Sequence, residues 1–254
     1  MERAIFKTKR FKDGQVSAAI EQMGDLHVKI RGNTYEELFE AAAIKEAFDS
    51  LNTITRYSSK LTIYCLIGQR SDRRFEDNQS FDLKMISNFV NLMNYDQVEL
   101  LHPHSSVAVA LINNSKEISP DKYVEKAFNS LGNPVLISPD AGAYKNTFNL
   151  AEKLNARLIA SNKIRIDGEP KIEIYGNVDG LKCLIVDDIA DGGRTFIELA
   201  KKLKSCGAAK VYLYVTHGMF NYGFEELKNQ IDHIYCTNSF KDITNHEFVT
   251  QYEN

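Results

Sequence analysis

Little in this sequence points to a charged polymer, a membrane or an oxidising compartment. Its 31 Lys and Arg against 34 Asp and Glu leave a net charge of −3. The basic residues are scattered, so the electrostatic footprint of a nucleic-acid binder is missing and any anionic ligand must be held by local groups. The four cysteines, Cys65, Cys183, Cys206 and Cys236, form no CxxC pair. Cys65 and Cys183 lie inside apolar runs that read as buried strands, and reduced thiols in a cytoplasm are expected. The opening residues MERAIFKTKRFKDGQ lack the apolar core of a signal peptide, and no apolar run approaches the ~18 residues of a membrane span. Neither a repeat of solenoid length nor a low-complexity tract is present, so the expectation is a soluble, cytoplasmic, globular protein.

What is present is a large reserve of core. Of 254 residues, 43% are hydrophobic and 26% charged, enough to bury one large core or two smaller ones. Short β-branched runs alternate with longer segments of helical period, the pattern of parallel βαβ units. LTIYCLI (61–67), QVELL (97–101), PVLIS (134–138), ARLIA (156–160), KCLIVDD (182–188) and KVYLYVT (210–216) are the expected strands; 34–52, 81–94, 143–154 and 195–206 are the expected helices. Two segments break the rhythm. NNSKEISPDKY (113–123) is placed to join two α/β domains, and RIDGEPKIEIYGN (165–177), with Gly168 and Pro170, has the look of a hairpin or mobile flap.

In an open parallel sheet, ligands bind outside the carboxyl ends of the strands, so the residues just after each apolar run matter most. These are GQRSDRR, HPHSS, PDAG, SNKIR, DDIADGGRT and THG, all polar. In the fifth, a buried strand runs into two adjacent carboxylates, Asp187 and Asp188, which repel each other and resist desolvation. A cation or a polyhydroxyl ligand would compensate them, and two acids can accept hydrogen bonds from vicinal ribose hydroxyls. The next residues, DGGRT (191–195), open a helix, where backbone N–H groups and the positive end of the helix dipole can cradle an anion without any lysine. A plain strand-to-helix turn with Asp as its cap is the competing account of the acidic pair alone. Neither GxxxxGK[ST] nor a GxGxxG after a strand occurs, which removes the Walker and dinucleotide-binding readings.

LIVDDIADGGRTF resembles the phosphoribosyl-pyrophosphate (PRPP) binding motif of type I phosphoribosyltransferases. FKDGQ (11–15), RSDRR (70–74), the HPHSS histidines, SPDAGAYK (138–145), the KIR triplet (163–165) and VTHGMF (215–220) extend the resemblance in order along nearly the whole chain to the ribose-phosphate pyrophosphokinases, or PRPP synthetases. The fold this implies is α/β, two tandem phosphoribosyltransferase-like domains with mostly parallel sheets: residues 1–115 for ATP and 116–254 for ribose phosphate. The implied reaction moves the β,γ-diphosphate of ATP to the C1 hydroxyl of ribose 5-phosphate, giving PRPP and AMP, with Mg²⁺ as cofactor. Carried over residue by residue, the resemblance assigns catalysis to Lys163, Arg165 and His104. It gives ATP contacts to Phe11, Asp13, Gln15, Arg70, Asp72 and His104, and ribose phosphate to Asp187, Asp188, Asp191, Gly192, Gly193, Arg194 and Thr195. A metal falls to His104 and Asp140. The 11–15 segment resembles one that the family supplies from a neighbouring subunit, which implies a homo-oligomer. His217 is left as a structural residue bonding its own turn, and Met219 and Phe220 as core or interface.

The departures from the family are informative. Only ten residues precede FKDGQ where the family has a further strand and helix. Ser71 stands where glutamine is usual, Gln15 where glutamate is usual and His102 where an aspartate is common. In the loop, Gly192 replaces a common threonine and Arg194 a common glycine. Losing a hydroxyl that grips a terminal phosphate while adding a guanidinium suits a sugar extended beyond its 5′-phosphate, such as ADP-ribose, used by some similar phage enzymes in rebuilding NAD. Two rival classes are weaker. A phosphoribosyltransferase would not need FKDGQ, RSDRR and HPHSS, and a silent regulatory homologue would not keep Lys163, Arg165, His104 and Asp140.

Overall fold

A computed structural model describes residues 2–254 except Thr55, Asp167, Gly168 and Asn245, and for 163–171 the backbone alone. The chain divides into two compact units, Met1–Ser119 and Pro120–Asn254.

The first unit opens with an antiparallel hairpin, β1 (Ile5–Arg10) and β2 (Val16–Gln22). A parallel sheet comes next: β3 (Leu26–Ile30), α1 (Tyr35–Leu51), β4 (Ser59–Ile63), α2 (Asp82–Leu92), β5 (Gln97–Leu101), α3 (Ser106–Leu111) and β6 (Ser115–Ile118). The helix α1 starts at a threonine N-cap. Thr34 accepts from the Glu37 amide at 3.3 Å, and the Glu37 carboxylate reaches back to the Gly32 amide at 2.8 Å. The four strands stand in sequence order, β3-β4-β5-β6. Right-handed crossovers that always step the same way put their helices on one face. The core shows this: Leu38, Ala41, Ile44 and Phe48 of α1 and Leu83, Ile86 and Val90 of α2 pack with Val28, Leu61, Ile63, Val98 and Leu100 of the strands. The opposite face is polar. Glu99 there accepts from Thr62 at 3.0 Å and pairs with Lys60 and Lys116.

The second unit contains α4 (Asp121–Ser130), β7 (Val135–Ser138), α5 (Ala141–Leu154), β8 (Leu158–Ile166), β9 (Glu169–Tyr175), β10 (Lys182–Ala190), α6 (Arg194–Ser205), β11 (Lys210–Gly218), α7 (Glu225–Lys228), β12 (His233–Thr237) and β13 (Val249–Tyr252). Its sheet has the order β13-β12-β11-β10-β7-β8-β9, parallel throughout except for the β8–β9 hairpin. After β7 the chain builds outward to one side through β8, then returns to lay β10, β11 and β12 on the other. The order therefore reverses between β7 and β10, the switch point at which open α/β sheets bind ligands. The α6 stripe Phe196, Leu199, Ala200 and Leu203 has the helical period and closes the core against Val211, Leu213 and Val215.

The α/β class and mostly parallel sheets expected from the sequence are observed. Two details differ. The 61–67 run stops being a strand after Ile63, where the amides of Tyr64, Cys65 and Ile67 bond to the carbonyls of Ile30, Arg31 and Gly32 and bend the chain over the end of β3. Segment 113–123 is not merely a connector, since β6 and the start of α4 lie within it.

Candidate active site

At the switch point the end of β7 is fixed by short polar side chains. Ser138 Oγ donates to the Asp140 carbonyl at 2.8 Å, and Ser161 Oγ on β8 donates to the Ser138 carbonyl at 2.7 Å. Asp140 then caps α5, accepting from the Ala143 amide at 2.9 Å. From the neighbouring strand come Asp187 and Asp188, both half-buried. Asp187 Oδ1 accepts from the Asp188 amide at 3.0 Å, and Asp188 Oδ1 from the Ile189 amide at 2.7 Å. Burial, then the charge of Asp188 and further that of Asp140, push the Asp187 carboxyl well above the ordinary carboxylate range. Carboxylates whose charges act on one another in this way favour a partner that relieves the repulsion, such as the hydroxyls of a diol.

Beyond Ala190 the loop turns into α6. Gly193 is the N-cap at φ 79°, and its lack of a side chain leaves the first helical amides without a capping oxygen from that position. Contact also demands glycine here: a Cβ on Gly193 would stand 2.9 Å from Leu227 Cδ2, and one on Gly192 would stand 2.7 Å from the Tyr222 ring. Asp191 is held from the β11 side, accepting from Asn221 Nδ2 at 2.6 Å, while its carbonyl accepts from the Asn221 amide at 3.1 Å. The Arg194 guanidinium points away from this frame, 91% exposed, and pairs with Glu198 at 3.1 Å. Thr195 is exposed on the same first turn. Lys163 and Arg165 lie on β8 opposite Ile172 and Pro170 of β9, on a backbone hairpin as the sequence suggests. Their side chains lie outside the described residues.

In the first unit the segments leaving β4 and β5 carry Arg70, Asp72 and His104, and the charge of His104 reaches Asp72. Burial works to raise the Asp72 carboxyl, but hydrogen bonds from Ser105 and Arg73 and the charges of Arg73 and His104 outweigh it and hold it below its ordinary value. Gln69 Oε1 accepts from the His104 amide at 3.0 Å. Phe11, Asp13 and Gln15 sit at the exposed turn of the β1–β2 hairpin, whose strands are tied to α1 through Thr8 and Arg10 on Glu40. The two metal candidates, His104 and Asp140, belong to different units. Among the described residues no group of three or more His, Cys, Asp or Glu side chains stands ready to hold a metal ion by itself.

Sequence reasoning missed Gln69, Ser105, Ser161, Asn221 and Tyr222, none of which has a charge to draw notice. His217 is fully buried and shares a 2.8 Å hydrogen bond with Ser239. Phe220 is in the core, as expected.

A strand order that reverses between β7 and β10, an acidic strand end and a glycine-opened helix there are the marks of a phosphoribosyltransferase-type fold. The crystal structure of phosphoribosylpyrophosphate synthetase from Mycobacterium smegmatis superposes with a TM-score of 0.82 over 98% of this chain and 86% of that one, at 17% identity. The family described as the phosphoribosyl synthetase-associated domain matches residues 135–247. The ribose-phosphate pyrophosphokinase of Pyrococcus furiosus is 28% identical over 91% of this chain and 84% of its own length. That of Mesorhizobium japonicum is 32% identical over 61% of this chain and 52% of its own. Over most of its length the chain is thus similar to ribose-phosphate pyrophosphokinases, and it shares their fold.

Proposed function

We propose that the chain transfers the β,γ-diphosphate of ATP to the C1 hydroxyl of ribose 5-phosphate. The C1 oxygen bonds to the β-phosphorus, the bond from that phosphorus to the α-phosphate oxygen breaks, AMP departs, and the hydroxyl proton passes to solvent. The observation that carries this reading is the gathering of Asp140, Asp187 and Asp188 beside the glycine-opened start of α6. Few surroundings other than a sugar diol and polyphosphate with its cation would use that combination.

In this reading Asp187 and Asp188 orient the ribose hydroxyls, and the amides of 192–195 hold the 5′-phosphate. Arg70, Asp72 and His104 position ATP. Asp140 and His104 are the groups offered to Mg²⁺, which when bound would neutralise the triphosphate and so favour attack by the sugar oxygen. Lys163 and Arg165, carried by the hairpin, supply charge where it develops on the transferred group. The exposed turn at Phe11–Gln15 is suited to reach a neighbouring copy, consistent with a homo-oligomer.

A second reading takes ADP-ribose as the acceptor. It is favoured by Tyr222, which lies against Gly192 of the loop and is 87% exposed, an aromatic ring that could stack on a substituent beyond the 5′-phosphate. Purified protein with ATP, Mg²⁺ and either sugar, analysed by mass spectrometry, tests both. Ribose 5-phosphate should give AMP and PRPP in equal amounts; turnover of ADP-ribose alone would favour the second reading, and no AMP with either sugar refutes both.

A further inference from the structure

Gln69 is a polar side chain in an apolar place. It is 3% exposed, comes directly after Gly68 at φ 76°, and sits in the turn that leaves the β4 side of the sheet. An amide buried in this way is costly unless both of its ends are used. Here both are. Nε2 donates to Cys65 Sγ at 3.4 Å, within its own turn, while Oε1 accepts from the His104 amide at 3.0 Å, across to the exit of the next strand.

The turn it reaches starts at a residue that is itself tied outward, the His102 amide donating to the Ile118 carbonyl at 3.0 Å. His102 has φ 40°, a left-handed conformation unfavourable for a residue with a Cβ, Pro103 has no N–H to give, and Ser105 is occupied as the N-cap of α3, accepting from Val107. The path from His102 to Ser105 therefore carries backbone strain at His102. The same two exits are joined a second time by Asp72 and Ser105.

We propose that Gln69 is a positioning residue: by holding the His104 amide, it sets where the His104 imidazole is presented to bound ATP. The inference rests on the proposed role of His104 at ATP. Gln69→Met keeps the bulk and removes the acceptor, whereas Gln69→Glu keeps an acceptor oxygen on the His104 side. Losing such a support should lower kcat about 10- to 100-fold in Gln69→Met. The KM for ribose 5-phosphate should stay within about twofold, because the sugar site is not touched. Gln69→Glu should recover most of the rate, and the His104 amide proton resonance should move upfield in Gln69→Met but not in Gln69→Glu. A kcat for Gln69→Met within about twofold of wild type would overturn the inference. So would equal losses in both variants tracking a lowered thermal midpoint, which would make Gln69 a packing residue. Wild-type protein without turnover on either sugar would instead overturn the functional reading, and this inference with it, a result separable from the first two.

Discussion

Replacing Asp187 by Asn should make the protein more stable while removing its activity. The Asp187 carboxyl is raised in the folded state by burial and by the neighbouring charges of Asp188 and Asp140. A carboxyl with a raised folded pKa carries no penalty below its unfolded value near 3.8, where both states are protonated. The penalty grows as pH rises from there and is complete once pH passes the folded value. Unit charges some 4–8 Å apart interact by about 2–4 kcal/mol at an effective dielectric of 20. The partial exposure of Asp187 reduces this, so removing its charge should return about 1–2 kcal/mol at pH 8. Asn keeps an oxygen for the Asp188 amide, now bound at 3.0 Å, so the backbone is not disturbed. Thermal denaturation of wild type and Asp187→Asn across pH 4–8 is the assay. The expected result is a midpoint several degrees higher in the variant at pH 8, shrinking to nothing near pH 4, with Mg²⁺ and ribose 5-phosphate stabilising the wild type more than the variant. A variant less stable at pH 8, or an advantage independent of pH, would refute the argument.

Gly193→Ala should cost roughly 1–2 kcal/mol in urea denaturation and raise the KM for the sugar phosphate, since φ is 79° and the new methyl would meet Leu227 Cδ2 at 2.9 Å; unchanged stability would mean that the loop relaxes freely. Arg194→Gln should change stability by no more than about 0.5 kcal/mol, because the Glu198 pair is a solvent-facing one. If the guanidinium leaves Glu198 for a second phosphate, kcat/KM for ADP-ribose should fall by roughly 5- to 150-fold, the equivalent of 1–3 kcal/mol, while ribose 5-phosphate is spared. An equal change with both sugars denies Arg194 a part in substrate choice.

The centre of the second unit was legible because its signals are dense and local. KCLIVDD is an apolar run ending in acids, and the segment after it carries the period of a helix; both became β10 and α6 within a residue or two. The edges were not legible. IFKTKR of β1 is exposed at all but one position, and SKEI of β6 has no apolar face, so nothing alternates for a reader to detect; hydrogen bonding to a neighbour makes them strands. Residues whose role is to support others left no trace either. Gln69 matters through His104, 35 positions away, and Asn221 through Asp191, 30 away. The acids and glycines that face a ligand announce themselves by residue type, whereas the side chains that aim them are recognised only once the chain is folded.

The two strand orders also give the units different histories. In β3-β4-β5-β6 each strand docks on the one made just before it, so the first sheet can grow as the polypeptide emerges, with every loop closure short. In the second unit β7 is left with one open edge while β8 and β9 form on the other side, and that edge is filled only when 182–190 has been synthesised. Until then a strand of four fully buried residues, VLIS, has no partner on that side. The strand that brings Asp187 and Asp188 into place is thus the same one that protects the growing sheet from pairing with another chain.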